Sequence, residues 1–173
     1  MLFRSAIGSV LVNFLSQPSV MGVSLQAAGK MLVFFWGGAM VGRFIGSAVL
    51  RLVSPGKVLA CVAVGAIALI AVSTSTTGAI SGYSLLAIGL MNAIMFPTIF
   101  SLGTEGLGEQ TPQGSGILCT AIVGGALVPY LFGTVADVTG SMRAALLVPV
   151  LCYAIIALFG LWAARHAATA QTD

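Results

Sequence analysis

The chain has 173 residues, of which 58% are hydrophobic and only 6% charged, and its net charge at pH 7 is +3. A soluble domain carries about 25% charged residues, so this composition excludes a water-covered globular domain and indicates a membrane protein. The positive charge is small and scattered, which argues against nucleic-acid binding.

Five apolar stretches predict membrane-spanning helices, because backbone groups in hydrocarbon must be paired within their own segment. They are residues 31–53, 57–76, 80–102, 115–136 and 144–164. Residues 6–15 are apolar but too short to cross, and we interpret them as the back half of a further helix. The prediction is an all-α bundle of six helices, the first one truncated, over residues 6–164. Residues 1–5 are interpreted as foreign sequence and 165–173 as a cytoplasmic tail.

Arg43 lies near the middle of the first complete span, where placing an arginine costs about 2.5–3.5 kcal/mol on insertion scales. Such a residue usually faces a partner or a watery cavity. Gly38, Gly42 and Gly46 follow at four-residue spacing and predict close approach by another helix. A second stripe, by helical spacing, holds Trp36, Ala39, Met40, Arg43 and Ser47. An aromatic plane beside a guanidinium suits a sugar, so Arg43 and Trp36 are candidate substrate contacts. The alternative is an arginine that only caps helix carbonyls.

Pro97 predicts a kink in the span over residues 80–102, because it cannot donate to the carbonyl of Ala93. Asn92 and Phe96 precede the kink and are candidate substrate contacts, whereas a purely interhelical bond of Asn92 is equally consistent. Thr98 and Ser101 are expected to pair carbonyls that the kink frees.

A second proline predicts a similar feature in the span over residues 115–136. Gly124, Gly125 and Pro129 permit close packing and a hinge there. Asn13, in the truncated helix, is a further candidate substrate contact, with a packing role equally consistent. The second and fifth helices both end on a glycine followed by a charge, which favours two inverted sets of three helices.

Other chemistries lack a pattern in this chain. Cys61, Cys119 and Cys152 stand apart and His166 stands alone, so neither a metal site nor a disulfide framework is predicted. No nucleotide-binding motif or cofactor site is predicted, and no nucleophile and base pair indicates an enzyme. The carboxylates all fall in predicted loops or ends, so a proton site would have to lie elsewhere.

Several motifs together resemble the fucose and glucose/galactose permeases of the major facilitator superfamily. They are residues 9–14, 42–46 (GRFIG), 96–102 (FPTIFSL), 114–116 (GSG), 122–125 (IVGG) and 148–152 (VPVLC). The likeness runs in order from Ala6 to Trp162 and matches only the C-terminal six-helix half of that fold.

The resemblance implies proton-coupled transport of a monosaccharide across a bacterial inner membrane, with the sugar between two six-helix halves. It places the family's cavity arginine on Arg43 and its aromatic before the kink proline on Phe96. It implies that the helices of Asn13 and Asn92 line the cavity. The proton-coupling acids of the family belong to the N-terminal half. The chain alone is therefore expected to be inactive.

Two other functions stay open from the sequence. One is a half-size transporter that pairs with a second copy, and the other is a membrane assembly protein that does not transport. More Lys and Arg residues fall on the side of the two termini than on the other side, which predicts both ends in the cytoplasm.

Overall fold

A computed structural model describes residues 11–121 and 124–169, and within those ranges the chain is helical with no strand. The predicted foreign segment and the start of the truncated helix lie outside the described residues. A 3-10 turn covers Gly108–Gln110. The helices are α1 (residues 11–15), α2 (Leu25–Val49), α3 (Pro55–Ser75), α4 (Ala79–Asn92), α5 (Met95–Thr104), α6 (Thr111–Ala121), α7 (Gly124–Thr139), α8 (Met142–Ala145) and α9 (Leu147–Thr169).

Four segments of the described ranges are long and apolar enough to cross a membrane: Leu25–Val49, Pro55–Ser75, Ala79–Thr104 and Met142–His166. They correspond to four of the five predicted spans. The fifth, over residues 115–136, is built from α6 and α7, and residues 122 and 123 between them lie outside the described residues. The chain is therefore an all-helical, multi-pass integral membrane protein.

The first complete span was predicted too late in the chain, since α2 begins at Leu25 and not at residue 31. Ser24 starts it, because the Ser24 hydroxyl accepts a hydrogen bond from the Ala27 amide at 3.3 Å and pairs an otherwise open N–H group. Lys30 directly precedes the predicted start. It lies inside the helix but is exposed, so its long side chain can reach water from the end of the span. At the other terminus α9 runs on to Thr169, five residues past the predicted limit of the span at residue 164.

Three connections meet at one end of the bundle, here called the outer end: α1–α2, α3–α4 and α7–α8. The Gly78 amide donates to the Ser19 carbonyl at 3.3 Å. The Arg143 guanidinium donates to the Thr76 carbonyl, also at 3.3 Å. The α2–α3 and α5–α6 connections lie at the opposite, inner end. Successive spans therefore cross the bundle in alternating directions.

Helices α3 and α9 pack backbone to backbone through two glycines. A methyl group added at Gly160 would lie 2.8 Å from the Ala60 amide nitrogen and 2.9 Å from the Gly56 carbonyl oxygen. A methyl group added at Gly56 would lie 2.6 Å from the Ala164 amide nitrogen. Small residues permit this approach in a membrane, where dispersion contacts replace the hydrophobic effect between helices. The main core then fills around these helices with side chains that include Phe14, Phe35, Leu59, Leu86 and Tyr153.

Ser73 and Ser81 join the end of α3 to the start of α4 from inside the bundle. Both are fully buried, and each hydroxyl donates to the other residue's carbonyl, at 2.9 Å from Ser73 and 2.7 Å from Ser81. The two hydroxyl oxygens also lie 3.1 Å apart. This reciprocal pair fixes the tight turn between the two helices at the outer end.

Replacing Ser73 or Ser81 with alanine should therefore lower the free energy of unfolding in detergent by about 1 kcal/mol each. The double substitution should cost less than the sum of the two, because each single change strands a group of the other serine. Denaturation of the four proteins measures this coupling. Ser84→Ala is the control, since that hydroxyl bonds only within its own helix. Strictly additive losses would contradict the reciprocal arrangement.

Candidate functional site

Helices α2 and α4 touch along a line of glycines, as the sequence predicted. A methyl group added at Gly42 would contact the Leu90 carbonyl and lie 2.8 Å from the Cβ of Ala93, and one at Gly46 would overlap the side chain of Ile94. From the other side, a methyl group at Gly89 would contact the backbone of Phe35. Gly38 fits more loosely, 3.6 Å from the nearest backbone atom of α4. The contact fixes which residues of α2 and α4 share a level in the bundle.

The second stripe of α2 lies beside this glycine line. Four of its residues are exposed: Trp36, Met40, Arg43 and Ser47. Ala39 was also placed in this stripe, and that was wrong. Ala39 is buried with Gly42, one helical turn on, against α4. The exposed stripe is thus narrower and richer in polar groups than predicted.

Arg43 does not lie at the middle of its helix. Because α2 covers Leu25–Val49, its central residue is Gly37, and Arg43 lies roughly 9 Å further toward the inner end. That position is still inside a hydrocarbon core about 30 Å thick if the helix is centred in it. The guanidinium therefore needs water or a polar partner at this depth.

The helix that carries Asn92 and Phe96 is broken between them. Helix α4 ends at Asn92, and α5 begins at Met95. Ile94 departs from ideal helical angles, with φ −107° and ψ −8°, while staying in the right-handed helical region. Pro97 causes the break, since it has no N–H group to donate to the carbonyl of Ala93. Asn92 is consequently the last residue of a helix.

The expected repair of this break by Thr98 is wrong. Thr98 is buried, and its hydroxyl oxygen has no hydrogen-bond partner. Its backbone amide instead donates to the Ile94 carbonyl at 3.1 Å, which starts α5 afresh. The helix is interrupted at the proline, between Asn92 and Met95, and the Thr98 hydroxyl does not pair a freed carbonyl.

Asn92 is held from α9. The hydroxyl of Tyr153 donates to the carboxamide oxygen of Asn92 at 3.0 Å. Tyr153 is buried, whereas Asn92 is partly exposed. The interhelical bond anticipated as an alternative role for Asn92 is thus present, and the residue stays partly exposed.

The other candidate residues lie nearer the outer or the inner end of the bundle than Asn92 does. Phe96 follows the break, is half exposed, and its ring centroid lies 6.1 Å from that of Phe100. Trp36 adjoins Phe35, which packs on Gly89 nearer the outer end. Asn13 is exposed on α1, two residues before Leu15, which packs on Gly82.

These contacts order the candidates along the bundle from the outer end. The order is Asn13, Trp36, then Arg43 with Asn92, and last Phe96. From the level of Asn13 to that of Phe96 the distance is roughly 18 Å, at 1.5 Å per helical residue. One sugar ring cannot touch both extremes. Arg43 and Asn92 share a level because the neighbours of Arg43, Gly42 and Gly46, contact residues 90–94.

The predicted hinge at Gly124, Gly125 and Pro129 falls at the start of α7. Helix α7 begins at Gly124 and continues through Pro129. Residues 122 and 123 precede it outside the described residues, so a hinge there stays a prediction. A break that the sequence analysis missed occurs at Leu146, between α8 and α9. Pro149 explains it, because the carbonyl of Ala145 has no N–H partner at residue 149.

The carboxylates of the described residues lie away from the candidate site. Glu105, Glu109 and Asp137 are exposed and lie at or beyond helix ends. Across residues 11–121 and 124–169 no group of three or more His, Cys, Asp or Glu side chains could hold a metal ion. Arg43 is accordingly the charged group to consider within the candidate site.

Comparison with known proteins gives close relatives. The chain is 57% identical over 156 residues to the glucose/galactose transporter of Brucella abortus (strain 9-941), a match that covers 90% of this chain and 38% of the relative. It is 46% identical over 160 residues to a putative glucose/galactose transporter of Helicobacter pylori (strain J99), covering 90% and 39%. A crystal structure of the E. coli fucose:proton symporter superposes with a TM-score of 0.87 and 31% identity, covering 94% of this chain and 39% of that one. No protein-family model matches the chain.

The helical bundle and these likenesses define a membrane transporter fold. The chain belongs to the major facilitator superfamily, as part of a permease similar to the glucose/galactose and fucose transporters. It spans well under half the length of the relatives it matches. Those relatives are transporters and not enzymes, and proteins of this kind reside in the bacterial inner membrane.

The packing of α2 on α4, which places Arg43 and Asn92 at the same depth, can be tested at Gly46. Gly46→Ala should destabilise the protein by about 1–3 kcal/mol, because the new methyl group meets the Ile94 side chain. Adding Ile94→Ala should make room and recover part of that loss, so the double variant is more stable than the sum of the single changes. Unfolding in detergent measures each term. Gly37→Ala is the control, since no atom lies within 4 Å of a methyl group there. Absence of recovery would contradict the packing of α2 on α4.

Proposed function

We propose that this chain is the C-terminal half of a proton-coupled monosaccharide permease, with glucose, galactose or fucose as the class of substrate. The observation that carries the proposal is the 57% identity over 90% of the chain to a glucose/galactose transporter. The likeness to a fucose:proton symporter supports coupling to protons. The permease would move sugar by alternating access between two six-helix halves.

The substrate contacts proposed are Arg43, Asn92 and Phe96, with Asn13 and Trp36 nearer the outer end. Arg43 and Asn92 offer several N–H donors at one level, which suits the oxygen atoms of a sugar. Phe96, close by, offers an apolar ring face. The spread of the five candidates along the bundle fits a path, in which Asn13 and Trp36 would meet the sugar on its way to the deeper pair.

The missing parts are proposed to lie in a second six-helix half. The carboxylates described in this chain stand at helix ends, whereas a proton site in a membrane usually needs an acidic group within the span. The second half would supply that group and the opposite wall of the cavity. It would also cover the exposed stripe that contains Arg43.

Loss of Arg43 tests the central contact. In the complete permease, Arg43→Ala should reduce uptake of labelled hexose to background while the protein still reaches the membrane, because the sugar loses a multidentate donor. Arg43→Lys should restore only part of the activity, since an ammonium group lacks the planar fork. Arg51→Ala is the matched control, because Arg51 is exposed just beyond the end of α2. Normal uptake by Arg43→Ala would contradict the proposed role.

The chain by itself should not transport. Membrane vesicles that contain only this chain should accumulate no labelled glucose, galactose or fucose under an imposed proton gradient, whereas vesicles with the complete permease should. Accumulation by the chain alone would instead support a half-size transporter that pairs with a second copy. A complete permease that neither binds nor moves sugar would support the assembly protein.

A further inference from the structure

We infer that Tyr153, on α9, is a positioning residue that fixes the carboxamide of Asn92 so that its NH2 group faces the substrate. The inference rests on the proposed function, since it assigns a role to Tyr153 in sugar binding by the same site. Tyr153 was not among the predicted site residues, and it stands 61 residues after Asn92.

The hydrogen bond between Tyr153 and Asn92 shows which arm of the carboxamide faces α9 in the structure. A tyrosine hydroxyl has one proton to donate, and the Asn92 oxygen accepts it at 3.0 Å. A carboxamide carries its acceptor and its two donors on opposite arms. With the oxygen turned to Tyr153, the nitrogen arm is turned away from α9. Asn92 then acts as a donor and would bind an oxygen atom of the sugar.

The surroundings hold Tyr153 still. It is buried in the main core and lies on the helix that packs on α3 through Gly160. Burial of an unpaired hydroxyl would cost free energy, so the bond to Asn92 is maintained from that side. Asn92 itself is the last residue of α4, directly before the proline break. A fixed donor on α9 therefore controls the orientation of a side chain at a broken helix end.

The position also agrees with the depth of Arg43. Asn92 lies within residues 90–94, the part of α4–α5 that contacts Gly42 and Gly46 on either side of Arg43. A carboxamide whose NH2 arm is fixed would add a directed donor at the depth of the guanidinium. Both groups would then select for sugar oxygen atoms at defined positions.

The test is Tyr153→Phe in the complete permease, with sugar affinity and maximal uptake rate measured separately. The change removes only the hydroxyl, so the Asn92 carboxamide can turn over and present its oxygen to the sugar, where an acceptor then replaces the donor. We expect the dissociation constant for the transported sugar to rise about tenfold, with the maximal rate altered less than twofold. Tyr83→Phe is the matched control, because Tyr83 is exposed on α4.

A series of monodeoxy sugars separates positioning from a general loss of stability. One deoxy analogue, which lacks the hydroxyl that Asn92 contacts, should bind the original protein and Tyr153→Phe equally well. In an Asn92→Ala background, Tyr153→Phe should have no further effect on affinity. Equilibrium binding on the folded protein gives these values even if the yield of Tyr153→Phe falls.

The outcomes distinguish the inference from the proposed function. If the original permease binds sugar and Arg43→Ala abolishes binding, but Tyr153→Phe leaves affinity unchanged, only the inference is overturned. A uniform loss across all deoxy analogues would overturn it as well, since that pattern indicates a structural bond. If the complete permease binds no sugar at all, the proposed function and the inference fail together.

Discussion

The close approach of α2 and α4 is the contact on which the arrangement of the site depends. Gly42, Gly46 and Gly89 remove the side chains that would hold the two backbones apart. In a membrane this contact is favoured by dispersion between well-fitted surfaces, and a single methyl group is enough to disturb it. Because the glycines face α4, Arg43 is turned to the side of the contact, at the level where α4 ends. The same contact therefore determines both how α2 packs on α4 and where Arg43 lies.

The prolines add a second constraint, since a carbonyl without an amide partner is costly in hydrocarbon. At Pro97 the chain opens the helix after Asn92, and at Pro149 it opens before Leu147. The first break turns Asn92 from a mid-helix residue into a helix end. A hydrogen bond from Tyr153 then supplies an anchor that the helix itself no longer gives. The buried hydroxyl of Thr98 has no hydrogen-bond partner, so it does not pair a carbonyl freed by Pro97.

What the sequence predicted well are features that depend on residues close in the chain. Apolar length located the spans, four-residue spacing located the glycine line of α2, and Pro97 located the broken helix. Features that depend on distant pairs were missed: Tyr153 with Asn92, Ser73 with Ser81, and Gly56 with Gly160. A hydroxyl in an apolar helix was the available signal for Tyr153 and both serines, yet it does not name the partner. The start of α2 was predicted six residues too late, and the omitted part contains Lys30, whose long side chain can extend to the surface from within a helix.

The positions of the charged groups suggest which half of a permease containing this chain would bind the sugar and which would bind the proton. A guanidinium carries N–H donors and no acceptor, so Arg43 can bind the oxygen atoms of a sugar. The carboxylates described here stand at helix ends and are exposed, far from the level of Asn92. Under the proposed function, this half would hold the sugar with N–H donors, and the proton would be exchanged on the other side of the cavity. Sugar and proton would then be coupled through the approach of the two halves, because neither half alone holds both kinds of group.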